Sequence, residues 1–307
     1  MSGKKNGFSI EELKNKPANF LKAHVENVSM NYRRKNQFDI AFRENEKCLI
    51  VFKEKLAAGD TGLTYADLSK LEYEQGYIEF LLGHYESSVK LFGDSAISSE
   101  KADDPVGVEI GKFRMTHTKV FANTTHLEDA RKEMILSFNR LSELLEEGYN
   151  ASRCGNWMFN IEGRLFDLAI ELHNVEDAEE YFSRFLEHPS TQDNLASDAP
   201  NSRTLLNKFS REGRLNYIRG AYDEALGNFA AFLEVDLSQW GAKDDRITVD
   251  LEDVQEVSRD YLYAGRCLRQ KGLEAQAERA FEGGLAQNPH NANHYFQDKI
   301  REEIKRK

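Results

Sequence analysis

GRCLRQKGLEAQAERAFEGGLAQNPHN, running from Gly265 to Asn291, reads as a helical hairpin. Gly272 follows Gly265 by seven residues and stops the first helix, because glycine alone enters left-handed backbone angles without steric cost. Gly265 lies on that helix as a small residue, where a second helix can approach closely. Ala277, Phe281 and Gly284 then recur at spacings of four and three, which puts them on one face of the second helix. Pro289 forbids further helix.

The same signature appears twice more. Gly76 and Gly83 are followed by Tyr85, Ser88 and Phe92, and Gly213 and Gly220 by Tyr222, Ala225 and Phe229. Two further stretches carry only the second half, Leu127, Ala130, Met134 and Ser137 in one and Val175, Ala178 and Phe182 in the other. A first hairpin is marked by Phe38 to Ala41 after a turn at Asn36, and the stretch GDTG at 59–62 is its exit loop. The pattern resembles the tetratricopeptide (TPR) repeat. That resemblance implies an all-α, right-handed solenoid of about six antiparallel helical hairpins with a C-terminal capping helix. The units are read at 19–58, 64–99, 108–147, 156–189, 203–236 and 251–289. A lead with a short helix occupies 1–18, where Ser9 and Glu12 form a capping box and Pro17 closes the helix. The cap occupies 292–307, with Phe296, Ile300 and Ile304 along one side. The small residues Ala41, Ser88, Ala130, Ala178, Ala225 and Ala277 are separated by 47, 42, 48, 47 and 52 residues. TPR units repeat at about 34, so the helices or linkers here are longer. The linkers EKADDP at 100–105 and TQDNLASDAPNS at 191–202 are polar, and 236–250, with Trp240, is read as a long loop.

Bulk properties exclude several classes. The chain has 307 residues and a net charge of −11, which argues against duplex nucleic acid, where affinity comes from neutralising phosphates. No apolar run approaches the roughly 20 residues that span a bilayer, and no signal peptide opens the chain, so a cytoplasmic or nuclear protein is expected instead of a secreted one. Cys48, Cys154 and Cys267 are odd in number and far apart, which fits buried thiols in a reducing compartment. His290 and His294 are four apart but have no third ligand nearby in sequence, so no metal site is assigned, and no phosphate loop or nucleophile elbow implies a cofactor or catalysis.

The first helices carry more than packing residues. Asn207, Arg211 and Arg214 share one face, as do Arg259, Tyr263 and Arg266, with Arg269 close by. Asn160 and Arg164 stand in the fourth unit, and Lys112, Thr116, Lys119 and Asn123 in the third. In proteins this chain resembles, first helices line the concave surface. Lys112, Lys119, Asn160, Arg164, Asn207, Arg211, Arg214, Arg259, Tyr263 and Arg266 are therefore the expected ligand-binding set, and an acidic or carboxylate-bearing peptide the expected partner. The competing reading is a network within the molecule, since Asp167 shares a face with Arg164 and Glu212 adjoins Arg211. The Lys and Asn clamp of chaperone-binding TPR proteins is not present as a full set. The function expected is a non-catalytic interaction scaffold, the alternative a subunit of a larger or self-associating assembly.

Overall fold

A computed structural model describes residues 7–33, 37–196, 202–233, 251–287 and 295–306. Among them are fifteen helices and no strand. Six pairs form hairpins: α2 (Ala18–Arg33) with α3 (Phe38–Ala57), α4 (Tyr65–Leu81) with α5 (Tyr85–Lys101), and α6 (Pro105–Phe121) with α7 (Leu127–Glu146); then α8 (Ala151–Glu171) with α9 (Val175–Glu187), α11 (Ser202–Ile218) with α12 (Tyr222–Leu233), and α13 (Leu251–Gln270) with α14 (Glu274–Ala286). Three shorter helices complete the chain: α1 (Ile10–Lys14), α10 (Pro189–Leu195) and α15 (Tyr295–Lys305). The chain divides into two compact units, 1–158 and 159–307, with the boundary inside α8.

One turn geometry recurs in both units. At five hairpin turns a single residue takes positive φ: Gly83 at 78°, Asn123 at 57°, His173 at 54°, Gly220 at 79° and Gly272 at 73°. Its N–H and that of the next residue then bond to carbonyls of the last helical turn, which would otherwise lack partners. At Gly272 these bonds run to Arg269 O (2.9 Å) and, from Leu273, to Leu268 O (2.9 Å). At His173 they run to Ile170 O (3.1 Å) and, from Asn174, to Ala169 O (2.9 Å). Asn123 and His173 thus do the work of glycine in the third and fourth hairpins, whose turns lack it.

The glycine–phenylalanine signature is a close approach between paired helices. A Cβ on Gly265 would lie 2.3 Å from the Phe281 ring, and one on Gly213 would lie 2.7 Å from Phe229. On Gly76 it would lie 3.1 Å from Phe92. Each pair is sixteen residues apart. In the third hairpin the equivalent places hold Thr118 and Met134, both fully buried, and the Thr118 hydroxyl donates to Arg114 O at 2.9 Å. In the fourth they hold Phe166 and Phe182, whose ring centres are 6.4 Å apart. All six small residues, Ala41, Ser88, Ala130, Ala178, Ala225 and Ala277, have no exposed surface. Burying a methyl group or hydroxymethyl there lets the second helix seat against its first, and any larger side chain would push them apart.

Several boundaries differ from expectation. The fourth hairpin closes at Pro189 as read, since α9 ends at Glu187, but Pro189 also opens α10, which runs into the stretch read as linker. Proline is tolerated in the first helical turn because the N–H it lacks would have no partner there. Helix α6 starts at Pro105, with the Asp104 carboxylate accepting from Gly107 N–H, so the third hairpin begins earlier than Val108. Helix α8 also begins early, where Asn150 Oδ1 accepts from Arg153 N–H at 2.9 Å. The Ser9–Glu12 box is present in both directions, at 2.7 and 3.2 Å. The turn at Asn36, the 236–250 loop and the pair His290 and His294 lie outside the described residues.

In the second unit α15 covers the end of the last hairpin. Phe296 and Ile300 are buried, Ile304 is half-buried, and the Gln297 amide donates to Gly284 O at 3.2 Å. All three cysteines are free and buried, and burial pushes the Cys48 and Cys267 thiols up to about 12. Such thiols stay protonated and inert. No described helix is long and apolar enough to cross a membrane.

Candidate functional site

In the second unit, α8 places Asp167 and Glu171 four residues apart, hence on one face, and the cations of later first helices converge on them. Arg164, Arg214 and Arg259 all donate to Asp167, at 2.9, 2.5 and 3.2 Å. The Arg214 and Arg259 Nε atoms lie 3.7 and 3.6 Å from Asp260, which has no exposed surface. Burial alone would raise the Asp167 carboxyl, but the fields of Arg259, Arg214 and Arg164 outweigh it and hold it far below the usual carboxylate range. Glu171 accepts from Tyr263 Oη at 2.6 Å and pairs with Lys299. Burial, then the charge of Glu171, raises the Tyr263 phenol well above its ordinary value.

These contacts sort the residues nominated by the sequence. Arg214, Arg259 and Tyr263 are buried on internal carboxylates and present no open surface to a partner. Arg164 is half-buried on the same cluster. The Arg211 guanidinium lies 4.3 Å from the Phe185 ring centre and 5.5 Å from that of Phe166. Gly163 makes room for it, since a Cβ there would come within 2.9 Å of the guanidinium. Asn160 is exposed and Asn207 half-buried. In the first unit, Lys112 is exposed and paired with Glu109 at 2.7 Å, and Lys119 is half-buried.

Arg266 is placed differently from its neighbours. It lines an open cleft of about 250 Å³ in the second unit, together with His173, Tyr217, Arg269, Gln270, Glu303 and Arg306. Three guanidiniums there share one carboxylate: Arg266 and Arg269 meet Glu303 at 2.9 Å each, and Arg306 meets it at 3.2 Å. Arg269 also reaches Glu274 at 3.2 Å. Arg266 uses only its Nε–H, so its two Nη groups have no hydrogen-bond partner among the described residues. The sequence does not point to Glu303, because it stands on the capping helix, where only a polar face is legible. Arg306 is hidden for the same reason.

A second cluster is equally hidden in the sequence. Arg114, on α6 of the first unit, has its guanidinium carbon 5.0 Å from the Trp157 ring centre and 5.4, 5.8 and 5.9 Å from those of Tyr77, Tyr73 and Phe113. Its Nε–H donates to Tyr73 Oη at 3.0 Å. Aromatic residues at repeat spacing read as core in a sequence, which conceals the four rings that surround this cation.

No family model matches the chain, and no curated protein matches it. Solved structures do. The structure of a Rap protein complexed with Competence and Sporulation Factor is 12% identical, covers 96% of this chain and 77% of its own, and superposes with a TM-score of 0.53. The fold is TPR-like. BtubC (BKLC) from P. vanneervenii is 13% identical over 98% of this chain and 94% of its own, with a TM-score of 0.45. A TPR repeats protein from Bacteroides fragilis is 14% identical over 94% and 99%, with a TM-score of 0.24. At these lower scores the last two add nothing to the TPR-like assignment. That assignment gives the helical pairs their common turn and their Gly–Phe contact, and leaves the chemistry to the side chains just described.

Proposed function

We propose that this TPR-like chain is a non-catalytic interaction scaffold, and that it holds an acidic segment of a protein partner at the Arg266 cleft. The observation that carries this reading is the ratio of charges: Arg266, Arg269 and Arg306 converge on Glu303, in a chain whose net charge is −11. A carboxylate entering the cleft finds guanidinium donors already positioned, and a planar fork binds two oxygens at once. The Rap protein, similar in fold, was solved in complex with Competence and Sporulation Factor, which agrees with a scaffold that holds a partner. Among the other residues nominated from the sequence in this unit, Asn160 is exposed and Arg164, Asn207 and Arg211 are half-buried, and none of them lines the cleft.

The test is fluorescence polarisation with a labelled deca-glutamate peptide. The parent protein is expected to bind it with an affinity that falls as salt rises. Replacing Arg266, Arg269 and Arg306 together by Gln should weaken binding at least tenfold and flatten the salt dependence. Equal binding by this triple variant, confirmed as folded by circular dichroism, would end the cleft reading.

A further inference from the structure

We propose that Arg114 and its ring of aromatic side chains form a second, separate recognition site, in the first unit, for the side-chain carboxylate of a peptide that carries an aromatic residue beside it. The site does not depend on the Arg266 cleft.

Three helices build it. Tyr73 and Tyr77 come from α4, four residues apart and therefore on one face; Phe113 and Arg114 come from α6; Trp157 comes from the start of α8. The rings support one another: Tyr73 meets Trp157 edge-on at 6.0 Å and 82°, and Phe113 meets Trp157 at 6.1 Å. The Nε–H bond to Tyr73 Oη fixes the guanidinium among them. An arginine held this way has already lost the rotamer freedom that binding would otherwise cost. It is always charged, and with its Nε–H spent on Tyr73 and rings 5.0–5.9 Å from its carbon, the Nη side is left for a bidentate partner.

The edge is available. Among the described residues, neither Nη of Arg114 has a hydrogen-bond or ion-pair partner, and neither is buried away from solvent. The contrast with the second unit is direct, because Arg164, Arg214 and Arg259 all meet Asp167 and Arg266 meets Glu303. Arg114, Tyr73, Tyr77 and Trp157 are each half-buried, so the rings offer partial surface beside the cation. An isolated cation edge flanked by aromatic surface suits one carboxylate with an aromatic neighbour. One guanidinium edge offers a single bidentate contact, so it suits one carboxylate and not a run of them.

Trp157 supplies the readout. The chain has two tryptophans, so Trp240→Phe leaves Trp157 as the sole emitter. The probe is an N-acetylated, C-amidated peptide of sequence AFEAFEA. It is expected to shift Trp157 emission saturably, and the AFQAFQA counterpart to bind at least tenfold more weakly. Arg114→Gln should abolish the response, and Arg114→Lys should weaken it about tenfold, since lysine keeps the charge and loses the fork. Arg266→Gln should leave it unchanged, which separates this site from the cleft. Three results would overturn the proposal: equal binding of the Glu and Gln peptides, parent-like binding by Arg114→Gln, or a stronger response to AFQAFQA with a free C-terminus or to a deca-thymidylate strand. If Arg114→Gln does not fold, Arg114→Lys and the peptide pair still decide the matter.

Discussion

Arg114 and Arg214 occupy comparable places, each on a first helix and each facing the first helix of the preceding hairpin, yet they are used in opposite ways. Arg214 finds Asp167 on α8 and is buried with it, whereas Arg114 finds Tyr73 and Tyr77 on α4 and keeps its Nη edge in solvent. A guanidinium among rings is attracted without being neutralised; one against a carboxylate is neutralised and can be taken out of water. What decides between a braced and a presented arginine is thus the residue opposite it, which belongs to another hairpin some forty residues away. The two units share one hairpin geometry and differ in what fastens their first helices together.

The largest expected effect breaks the braced side of this comparison. Asp167→Ala leaves Arg164, Arg214 and Arg259 around an empty place, and should cost about 3–5 kcal/mol of stability, the usual result of removing one partner from a buried charge cluster. Arg114→Gln should cost about 1–2 kcal/mol, for the ring contacts and the bond to Tyr73 that it loses. Urea unfolding of both variants measures the gap, and similar losses would erase the distinction. The same cluster sets an acid dependence. The folded value of Asp167 lies below its unfolded value of about 3.9, so the unfolded chain binds the proton more readily. Its contribution is complete above about pH 5 and lost as pH falls through 4 and below. Asp167→Asn should therefore narrow the difference between unfolding midpoints at pH 7 and pH 4, while Arg114→Gln should leave that difference as in the parent.

A smaller effect asks whether the shared hairpin is equally tight in both units. Gly265→Ala forces a methyl group to within 2.3 Å of the Phe281 ring, whereas Gly76→Ala meets Phe92 at 3.1 Å, where a small ring shift suffices. The first should destabilise by about 1–3 kcal/mol and the second by less, because overpacking cost grows with the displacement it demands. Thermal melts of the two variants rank them, and the opposite order would show that the first unit is the more tightly packed.

The fold was legible because a hairpin announces itself locally. Gly272 and Phe281 lie within nine residues of each other, and both act through their own hairpin, one at its turn and one across its helix pair. Where the αL residue is Asn123 or His173, the turn is the same but the signal is weaker, since asparagine marks such turns less strongly than glycine and histidine hardly marks them at all. The candidate site was legible only in part. The spacing of Arg259, Tyr263 and Arg266 correctly places them on one helix, but their partners stand on α8 and α15, far off in sequence, and a 3.6-residue period carries no information about those distances. Arg114 is hard to single out for a related reason: its neighbours are aromatic, and aromatic residues at repeat positions look like core until the cation among them is seen.

The smallest expected effect lies at those turns. Asn123 and His173 sit at φ of 57° and 54°, one in each unit, in a region where a Cβ is strained and glycine is not. Asparagine tolerates it best, because its short polar side chain can bond locally. Asn123→Gly should then change stability by only a few tenths of a kcal/mol, relief of strain being offset by greater freedom in the unfolded chain. His173 has a bulkier ring, 6.3 Å from that of Tyr217 at the wall of the Arg266 cleft. If backbone strain outweighs the ring contact, His173→Gly should stabilise the second unit by about 0.5–1 kcal/mol. If the ring contact outweighs the strain, the same change should destabilise the unit and loosen deca-glutamate binding as well. The sign of that one urea midpoint shift distinguishes a histidine kept for the turn from one kept for the cleft it borders.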